Sequence, residues 1–193
     1  MGMAIFALSV VESRTHSRPE SCPYCDSRVL QGWGWETKLI DDFQLARVTV
    51  HRYRCEDCER TFRHYPVGVD QADQSLRIRQ AAAILWGLGL SLRIVVKMIE
   101  AMGIRLSASS VWRASQTIDR PLRKRLSARF RPVLADNPEW LARECERFGS
   151  VVVLKLDDET SIGVGVIDAP QTDLRALAEA LGVDVSFVSN PIL

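Results

Sequence analysis

Four of the five cysteines in the 193-residue chain occur as two pairs, each with two residues between the cysteines. The first pair is Cys22 and Cys25, the second is Cys55 and Cys58, and residues 26–54 separate them. A two-residue spacer lets both sulfurs of a pair face one tetrahedral ion, so two pairs supply the four thiolates of a structural zinc site. With all four positions taken by protein, the zinc would stabilise folding and leave no place for a substrate.

Other uses of these cysteines fit less well. Disulfides form in oxidising compartments, and residues 3–11, though apolar, lack the basic leading region and small-residue cleavage site of a signal peptide. A redox-active C-x-x-C motif would leave the second pair unexplained. Cys145 is expected to be a buried or incidental thiol, and His64 to lie on a basic rim rather than to replace a cysteine ligand.

Two predicted strands lie between the two cysteine pairs. Residues 45–54 alternate as a strand does, and residues 31–35 fit a twisted, exposed strand or turn. Several arginines are interleaved with aromatic residues here, which predicts an auxiliary DNA-contact surface. The arginines are Arg47, Arg52, Arg54, Arg60 and Arg63, and the aromatic residues are Tyr53, Phe62 and Tyr65.

The net charge is only +1, but the charged residues are unevenly distributed. Residues 74–131 contain 12 Lys and Arg against 2 Asp and Glu, a net charge of +10. Residues 1–73 contain 9 against 11, which is −2, and residues 132–193 contain 4 against 11, which is −7, returning +1 in all. A basic block of this size is the electrostatic pattern of a phosphate-binding surface.

Residues 76–116, within the basic block, are predicted to form three helices separated by turns. Apolar residues recur at helical spacing, glycines interrupt the pattern after the first two segments, and Ser91 and Ser107 are placed as N-caps. A helix, a turn and a helix that opens with small polar residues is the helix-turn-helix pattern. An ordinary three-helix bundle with a solvated polar face is the alternative.

The third of these helices would present one face to DNA. Val111, Ser115 and Ile118 share the face expected to pack on the second helix, and the opposite face carries residue types that reach base edges or phosphates. The residues expected to contact DNA there are Ser109, Ser110, Arg113 and Gln116.

Residues 119–131 predict a basic helix with Pro121 in its first turn, where proline is tolerated. Arg120, Arg123 and Lys124 are expected to lie along the phosphate backbone, and a solvated connector is the equal alternative. A linker and a short acidic helix over 138–149 follow.

The C-terminal segment begins with a near-continuous apolar strand over 150–158, which has the pattern of a buried central strand and ends in Asp157 and Asp158. A second strand over 162–167, a helix over 172–181 and a third strand over 183–189 are predicted after it. The two aspartates either carry chemistry or simply end a strand at a polar turn.

The order of CPYC, HRYRCEDCERTF, SASSVWRASQ and a strand running into DDET resembles the N-terminal half of insertion-sequence transposases, over roughly residues 22–165. Those proteins carry a zinc ribbon, a helix-turn-helix and a DDE catalytic domain of the ribonuclease-H-like type. The resemblance implies that Asp158, or Asp157 if the register slips, matches the first metal-binding carboxylate of a two-metal site. Magnesium would be bound only if a complete catalytic core were assembled.

The C-terminal segment departs from that family. The strand expected to present the second aspartate ends at Ser189-Asn190, and the later helix that would supply the third acidic residue is absent. We therefore expect no strand-transfer activity from this polypeptide alone, because roughly three strands and one helix are too small for a catalytic core.

The predicted architecture is α+β and multi-modular, with a small β zinc ribbon, a three-helix helix-turn-helix and an incomplete ribonuclease-H-like α/β unit. The expected modules are a flexible leader (1–20), the ribbon (21–66), the helix-turn-helix (70–118), the basic helix and linker (119–148) and the partial α/β unit (149–193).

The expected function is sequence-specific binding of double-stranded DNA at transposon ends, with structural zinc as cofactor. We also expect a homo-oligomer in the cytoplasm, associated with the nucleoid if the source is bacterial, and no membrane partner, since no apolar run approaches the roughly 20 residues of a membrane span. One alternative is catalysis completed by a second chain. The other is a zinc-ribbon/helix-turn-helix transcriptional regulator whose C-terminal unit mediates dimerisation.

Overall fold

The computed structural model describes residues 2–132 and 149–189, which form an α+β fold with eight strands and five helices. The strands are β1 (Gly2–Ala7), β2 (Leu30–Leu39), β3 (Arg47–Cys55), β4 (Thr61–His64), β5 (Phe130–Pro132), β6 (Ser150–Lys155), β7 (Ser161–Ile167) and β8 (Asp184–Ser189). The helices are α1 (Leu76–Gly87), α2 (Leu92–Ala101), α3 (Ala108–Ala114), α4 (Arg120–Ser127) and α5 (Gln171–Leu181).

The chain divides into two compact units that differ from the predicted modules. The small unit is Val10–Ile78, and the large unit combines Met1–Ser9 with Arg79–Leu193. The boundary falls within the first turn of α1. The acidic helix predicted over 138–149 and the thiol of Cys145 lie outside the described residues, apart from Gly149.

The small unit is built on the antiparallel sheet β2-β3-β4. On one face Val48 and Val50 are buried against Val11 and Ile40. Towards the other end, and on the opposite face, Tyr53 and Cys55 are buried together with Cys22 and Leu30. The sheet therefore changes its buried face along its length, which leaves the opposite face at each end exposed.

A buried ion pair closes the small unit where α1 begins. Arg77 donates to both carboxylate oxygens of Asp42, and the hydroxyl of Ser75 donates to the same carboxylate at 2.5 Å. The backbone N–H groups of Gln44 and Leu45 also donate to Asp42. Burial alone would raise the pKa of Asp42, but these hydrogen bonds outweigh it and hold that pKa below its ordinary value.

The large unit contains a five-stranded mixed sheet in the order β5-β7-β6-β1-β8. Strand β6 runs parallel to β1, while β6–β7, β5–β7 and β1–β8 are antiparallel. The four elements predicted after residue 149 are all present, as β6, β7, α5 and β8, within about two residues of the expected bounds, except that β6 ends at Lys155. The sheet has five strands rather than three, because β1 and β5 join them.

The first strand is the largest departure from the sequence prediction, which assigned residues 1–20 to a flexible leader. Ala4 and Phe6 are fully buried, and β1 lies between β6 and β8. Parallel pairing needs a long connection, which the chain between Ala7 and Ser150 provides. Local sequence does not reveal such a distant partner.

The orientation of β8 also differs from what the transposase resemblance implies. In the sheet register Ala7 pairs with both Lys155 and Asp184, whereas Gly2 pairs with both Ser150 and Ser189. The C-terminal end of β8 therefore lies at the opposite end of the sheet from Asp158. The strand expected to present a second carboxylate beside Asp158 does not end near it.

Helices α2 and α3 begin at the predicted N-cap residues, Ser91 and Ser107. The Ser91 hydroxyl accepts from the Ile94 N–H and the Ser107 hydroxyl from the Ser110 N–H. Every residue of α1 from Gln80 to Leu85 is buried, as expected of a helix that is apolar on all sides. At the end of α1, a Cβ on Gly87 would lie 2.6 Å from the side chain of Leu177, so the absence of a side chain there lets α5 pack closely against α1.

Candidate metal centre and basic helices

The four predicted cysteine ligands come together at one end of the small unit. Their sulfur atoms all lie within 4.8 Å of one another, with Cys22 and Cys58 3.7 Å apart and Cys25 and Cys55 3.6 Å apart. A tetrahedral zinc with Zn–S bonds of about 2.3 Å requires sulfurs about 3.8 Å apart. The cluster therefore fits one zinc ion held by four thiolates.

The two cysteine pairs adopt the same backbone arrangement. In each, the N–H of the first cysteine donates to the carbonyl five residues later, from Cys22 to Ser27 at 2.8 Å and from Cys55 to Arg60 at 2.9 Å. The residue that follows each second cysteine has a positive φ, +57° at Asp26 and +58° at Glu59. Because both turns close in this way, they present their sulfurs towards a common point.

The protonation of the thiols is uneven in the absence of a cation. Backbone N–H groups, first that of Cys58, lower the pKa of Cys55 to about 7. The N–H of Ser27 favours the Cys25 thiolate, but desolvation and the neighbouring thiols outweigh it and raise the pKa of Cys25 to about 12. Four thiolates this close repel one another, and a divalent cation is what makes their joint ionisation favourable.

Across the described residues, this is the one group of three or more His, Cys, Asp or Glu side chains that converges closely enough to hold a metal. His64, the rejected substitute ligand, instead contacts Ser17, with Nε2 3.2 Å from the hydroxyl. The arrangement has no open coordination position, so its contribution is to folding.

The helix-turn-helix prediction places its DNA contacts on α3, which is shorter than expected. Val111, Ser115 and Ile118 are buried, as predicted for the packed face, and Ser109 and Arg113 are exposed. The helix ends at Ala114, so Gln116 lies beyond it.

Several polar atoms on this face already have partners within the chain. The Gln116 amide donates to the Trp112 carbonyl at 2.8 Å. The hydroxyl of half-buried Ser110 lies 2.9 Å from that of Ser107. Arg113 makes only a long 3.4 Å hydrogen bond to the Ser109 carbonyl, which leaves most of its donors directed elsewhere.

Of the three residues expected along the phosphate backbone on α4, Arg123 is used inside the protein. Its guanidinium donates to the carbonyls of Trp86 and Leu90, at 3.1 and 3.2 Å, and lies 4.2 Å from the centroid of the Trp86 ring. The Trp86 carbonyl lies in the last turn of α1 and also accepts from the Gly89 N–H at 2.9 Å, while Leu90 lies just after the helix. Arg123 therefore fastens α4 to the end of α1.

Other members of the basic block are also committed to internal contacts. Arg77 pairs with Asp42, Arg125 with Asp173 at 2.9 Å, and Arg129 donates to the Asp168 carbonyl. Between Arg93 and Lys124, six exposed basic residues have no ion-pair partner among the residues described. They are Arg93, Lys97, Arg105, Arg113, Arg120 and Lys124. All six belong to α2, α3, α4 or the α2–α3 connection.

The two candidate catalytic aspartates lie in the turn that joins β6 to β7. Asp158 is 99 % exposed at its side chain and accepts a 2.8 Å hydrogen bond from Lys155. The carboxylate of Asp157 accepts from the backbone N–H groups of Glu159 and Thr160, as a turn-forming aspartate does. Within the described residues no metal-binding group forms around Asp158, so its catalytic assignment stays a prediction.

Trp33 is a surface residue to which sequence reasoning gave no role. It is 45 % exposed on β2, and the Arg54 guanidinium lies 5.3 Å from its ring centroid. The available signal was the G-W-G-W run at 32–35, in which glycines flank a large aromatic residue within a strand.

No protein-family model, no curated protein and no solved structure matches the chain. The likeness to insertion-sequence transposases therefore rests on the motifs of the sequence. Within residues 2–132 and 149–189, no helix combines the length and apolar composition needed to cross a bilayer.

Proposed function

We propose that this chain binds double-stranded DNA through α2, α3 and α4, as the DNA-binding part of a transposase-like protein that occupies transposon ends. A zinc ion on the four cysteines would stabilise the small unit as a zinc ribbon. In this proposal the chain does not cut DNA.

The observation that carries the proposal is the position of the unpaired basic side chains. After internal ion pairs and helix-capping contacts are set aside, six exposed Lys and Arg remain, on consecutive elements from Arg93 to Lys124. The acidic residues in this stretch are Glu100 and Asp119, and the Asp119 carboxylate is engaged as the N-cap of α4. Such a surface attracts a polyanion, and its affinity falls with salt as counterions are released.

Within this surface, Arg113 is the residue we propose as the base reader. It projects from α3, the second helix of the helix-turn-helix pair, and most of its guanidinium donors are uncommitted. A guanidinium binds the O6 and N7 atoms of guanine in the major groove with two hydrogen bonds. Arg120 and Lys124 would contact phosphates instead, which holds the protein in place without reading sequence.

The test is a salt titration of binding to a labelled DNA duplex, with the full chain. If the five basic residues other than Arg113 contact phosphates, log Kd against log salt has a slope of magnitude about 4.5, and Lys124→Ala lowers it by about 1. Arg113→Ala should cost about 1–3 kcal/mol against a selected sequence and relax the preference at one base pair.

Arg175→Ala is the matched control, because Arg175 is an exposed arginine on α5, outside the basic block. We expect it to leave duplex binding unchanged. Binding that does not depend on salt, or an equal loss in the Arg175 and Lys124 variants, would refute the proposal.

A transcriptional regulator that binds DNA through the same helices is the second candidate. The exposed turn position of Asp158 and its contact with Lys155 suit this candidate as they suit the first, because neither requires catalysis. Self-association would supply the second copy of α3 that a two-fold operator requires. The selected DNA targets would then contain two half-sites arranged as a palindrome.

A further inference from the structure

The two exposed tryptophans of β2 lie on opposite faces of the small sheet. The β2–β3 register shifts between Gly32, which pairs with Tyr53, and Trp35, which pairs with His51. Trp35 therefore shares a face with His51 and Tyr53. Trp33 lies on the other face, where the Arg54 guanidinium is 5.3 Å from its ring centroid.

The ring of Trp35 is already engaged by neighbouring side chains. The His51 ring stacks on it at 3.9 Å with an interplanar angle of 13°, and the Arg14 guanidinium lies 4.6 Å from its centroid. Behind it Tyr53 is buried against the cysteine cluster. This aromatic face is part of the packing of the small unit.

The surroundings of Trp33 are more open. Its neighbours Gly32 and Gly34 carry no side chains, and a Cβ built on Gly34 would meet no atom within 4 Å. Arg54 supplies a cation–π contact to the ring, which is nearly half exposed. A planar group has room to stack on a ring held in this way.

The same face carries three arginines in close register. Arg52 pairs directly with Arg63 across β3 and β4, and Arg54 is the next residue on that side of β3. Like charges opposite each other are unfavourable in a sheet. Glu36 forms an ion pair with Arg63, and Glu59 forms one with Arg54. Arg52 has no ion-pair partner among the residues that the structure describes.

We propose that this face, defined by Trp33, Arg52 and Arg54, binds single-stranded nucleic acid. An unpaired base stacks on Trp33, with Arg54 supporting the ring, and an adjoining phosphate contacts Arg52. Arginine with an exposed aromatic ring matches the combination of phosphate and base that a nucleotide offers. A duplex keeps its bases stacked inside the helix, so it presents no base face to Trp33.

This site is in the small unit, whereas the proposed duplex-binding surface is on α2, α3 and α4. The two proposals can therefore be tested independently. Loss of duplex binding in the Lys124 and Arg113 variants with unchanged oligo(dT) binding would support the duplex proposal without touching this one.

The experiment measures binding of labelled oligo(dT), and of a blunt duplex of the same length, to the zinc-loaded full chain. Trp33→Ala should weaken oligo(dT) binding by about 5- to 100-fold, the effect of losing one stacked base, and leave duplex binding within about twofold. Trp33→Phe, which keeps a stacking ring, should retain most of the affinity. Arg52→Ala should weaken oligo(dT) binding and make it less dependent on salt.

The chain provides a matched control on the opposite face. Trp35→Ala removes an equally exposed tryptophan from the same strand. This variant should leave oligo(dT) affinity unchanged if it retains its zinc. Equal losses from Trp33→Ala and Trp35→Ala, equal losses on oligo(dT) and duplex, or no loss from Trp33→Ala would each overturn the proposal.

Discussion

Replacing Cys25 with serine should remove zinc from the protein and unfold the cysteine end of the small unit. Cys25 is exposed, whereas Cys22 and Cys55 are fully buried. The Cys25→Ser change therefore removes a ligand with little effect on core packing. Any large loss of structure then reports the metal rather than a cavity.

The expected size of the effect follows from the scale of the small unit. Its buried apolar groups form two small clusters, one of which includes Cys22 and Cys55 themselves. Zinc binding to four such ligands is worth about 10–16 kcal/mol in peptides, while folded domains are stable by only about 5–15 kcal/mol. Loss of the ion therefore removes a binding free energy about as large as the whole free energy of unfolding expected for such a unit.

Two measurements together test this. Elemental analysis should find one zinc per wild-type chain and none in Cys25→Ser. Hydrogen exchange should show lost protection across residues 22–64, and retained protection in β6 and β7 of the large unit. Treatment of the wild type with a strong chelator should reproduce the same pattern.

Cys145→Ser is the control, since Cys145 has no second cysteine at two-residue spacing in the sequence. We expect it to retain one zinc per chain. The reasoning fails if Cys25→Ser keeps a full complement of zinc with unchanged protection, or if Cys145→Ser loses the metal.

Two further predictions concern stability. Asp42→Asn leaves the buried charge of Arg77 unpaired and should cost about 3–5 kcal/mol in urea unfolding at pH 7. Because the folded pKa of Asp42 is depressed, its contribution is fully present above about pH 4 and is lost as pH falls through the folded pKa. The wild type should therefore lose stability in that acid range relative to Asp42→Asn, and parallel pH profiles would contradict the assignment. Gly89→Ala should lower the free energy of unfolding by about 3 kcal/mol or more, and the melting temperature with it, because φ is +110° and the new Cβ would lie 2.5 Å from Ser127 Cα. Gly103→Ala, with φ +84° but no atom within 4 Å of the added Cβ, should cost only about 1–2 kcal/mol, and equal costs would show that the clash is absent.

Features that depend on short stretches of chain were predictable from the sequence. The two-residue spacing lets both sulfurs of a pair face the same ion, and the four sulfurs do converge. Ser91 and Ser107 cap the helices that follow them, because a hydroxyl reaches an N–H only three residues away. The order of β6, β7, α5 and β8 was also predictable, because the periodicity that indicates each element lies within a short stretch of chain.

Charge alone was a poorer guide to function at individual residues. Arg123 and Lys124 are adjacent and look equivalent in the sequence. Only the packed structure distinguishes them, because the Arg123 side chain reaches the carbonyls at the end of α1 while Lys124 is exposed. Which arginines remain available to a ligand depends on residues more than 30 positions away.

The partners of strands were decided by tertiary structure. Residues 2–7 look like a short apolar leader, yet they form a strand between β6 and β8 because Ala4 and Phe6 are buried against strands about 150 and 180 residues later. Likewise, Asp157 and Asp158 follow an apolar strand in the sequence, but in the structure they lie in an exposed turn. Because β8 runs antiparallel to β1, its C-terminal residue Ser189 lies at the opposite end of the sheet from them. A strand carries its own pattern of buried and exposed residues, but its backbone hydrogen-bonding edges are the same whichever strand pairs with them. Neighbour and direction are therefore settled only when the whole sheet assembles.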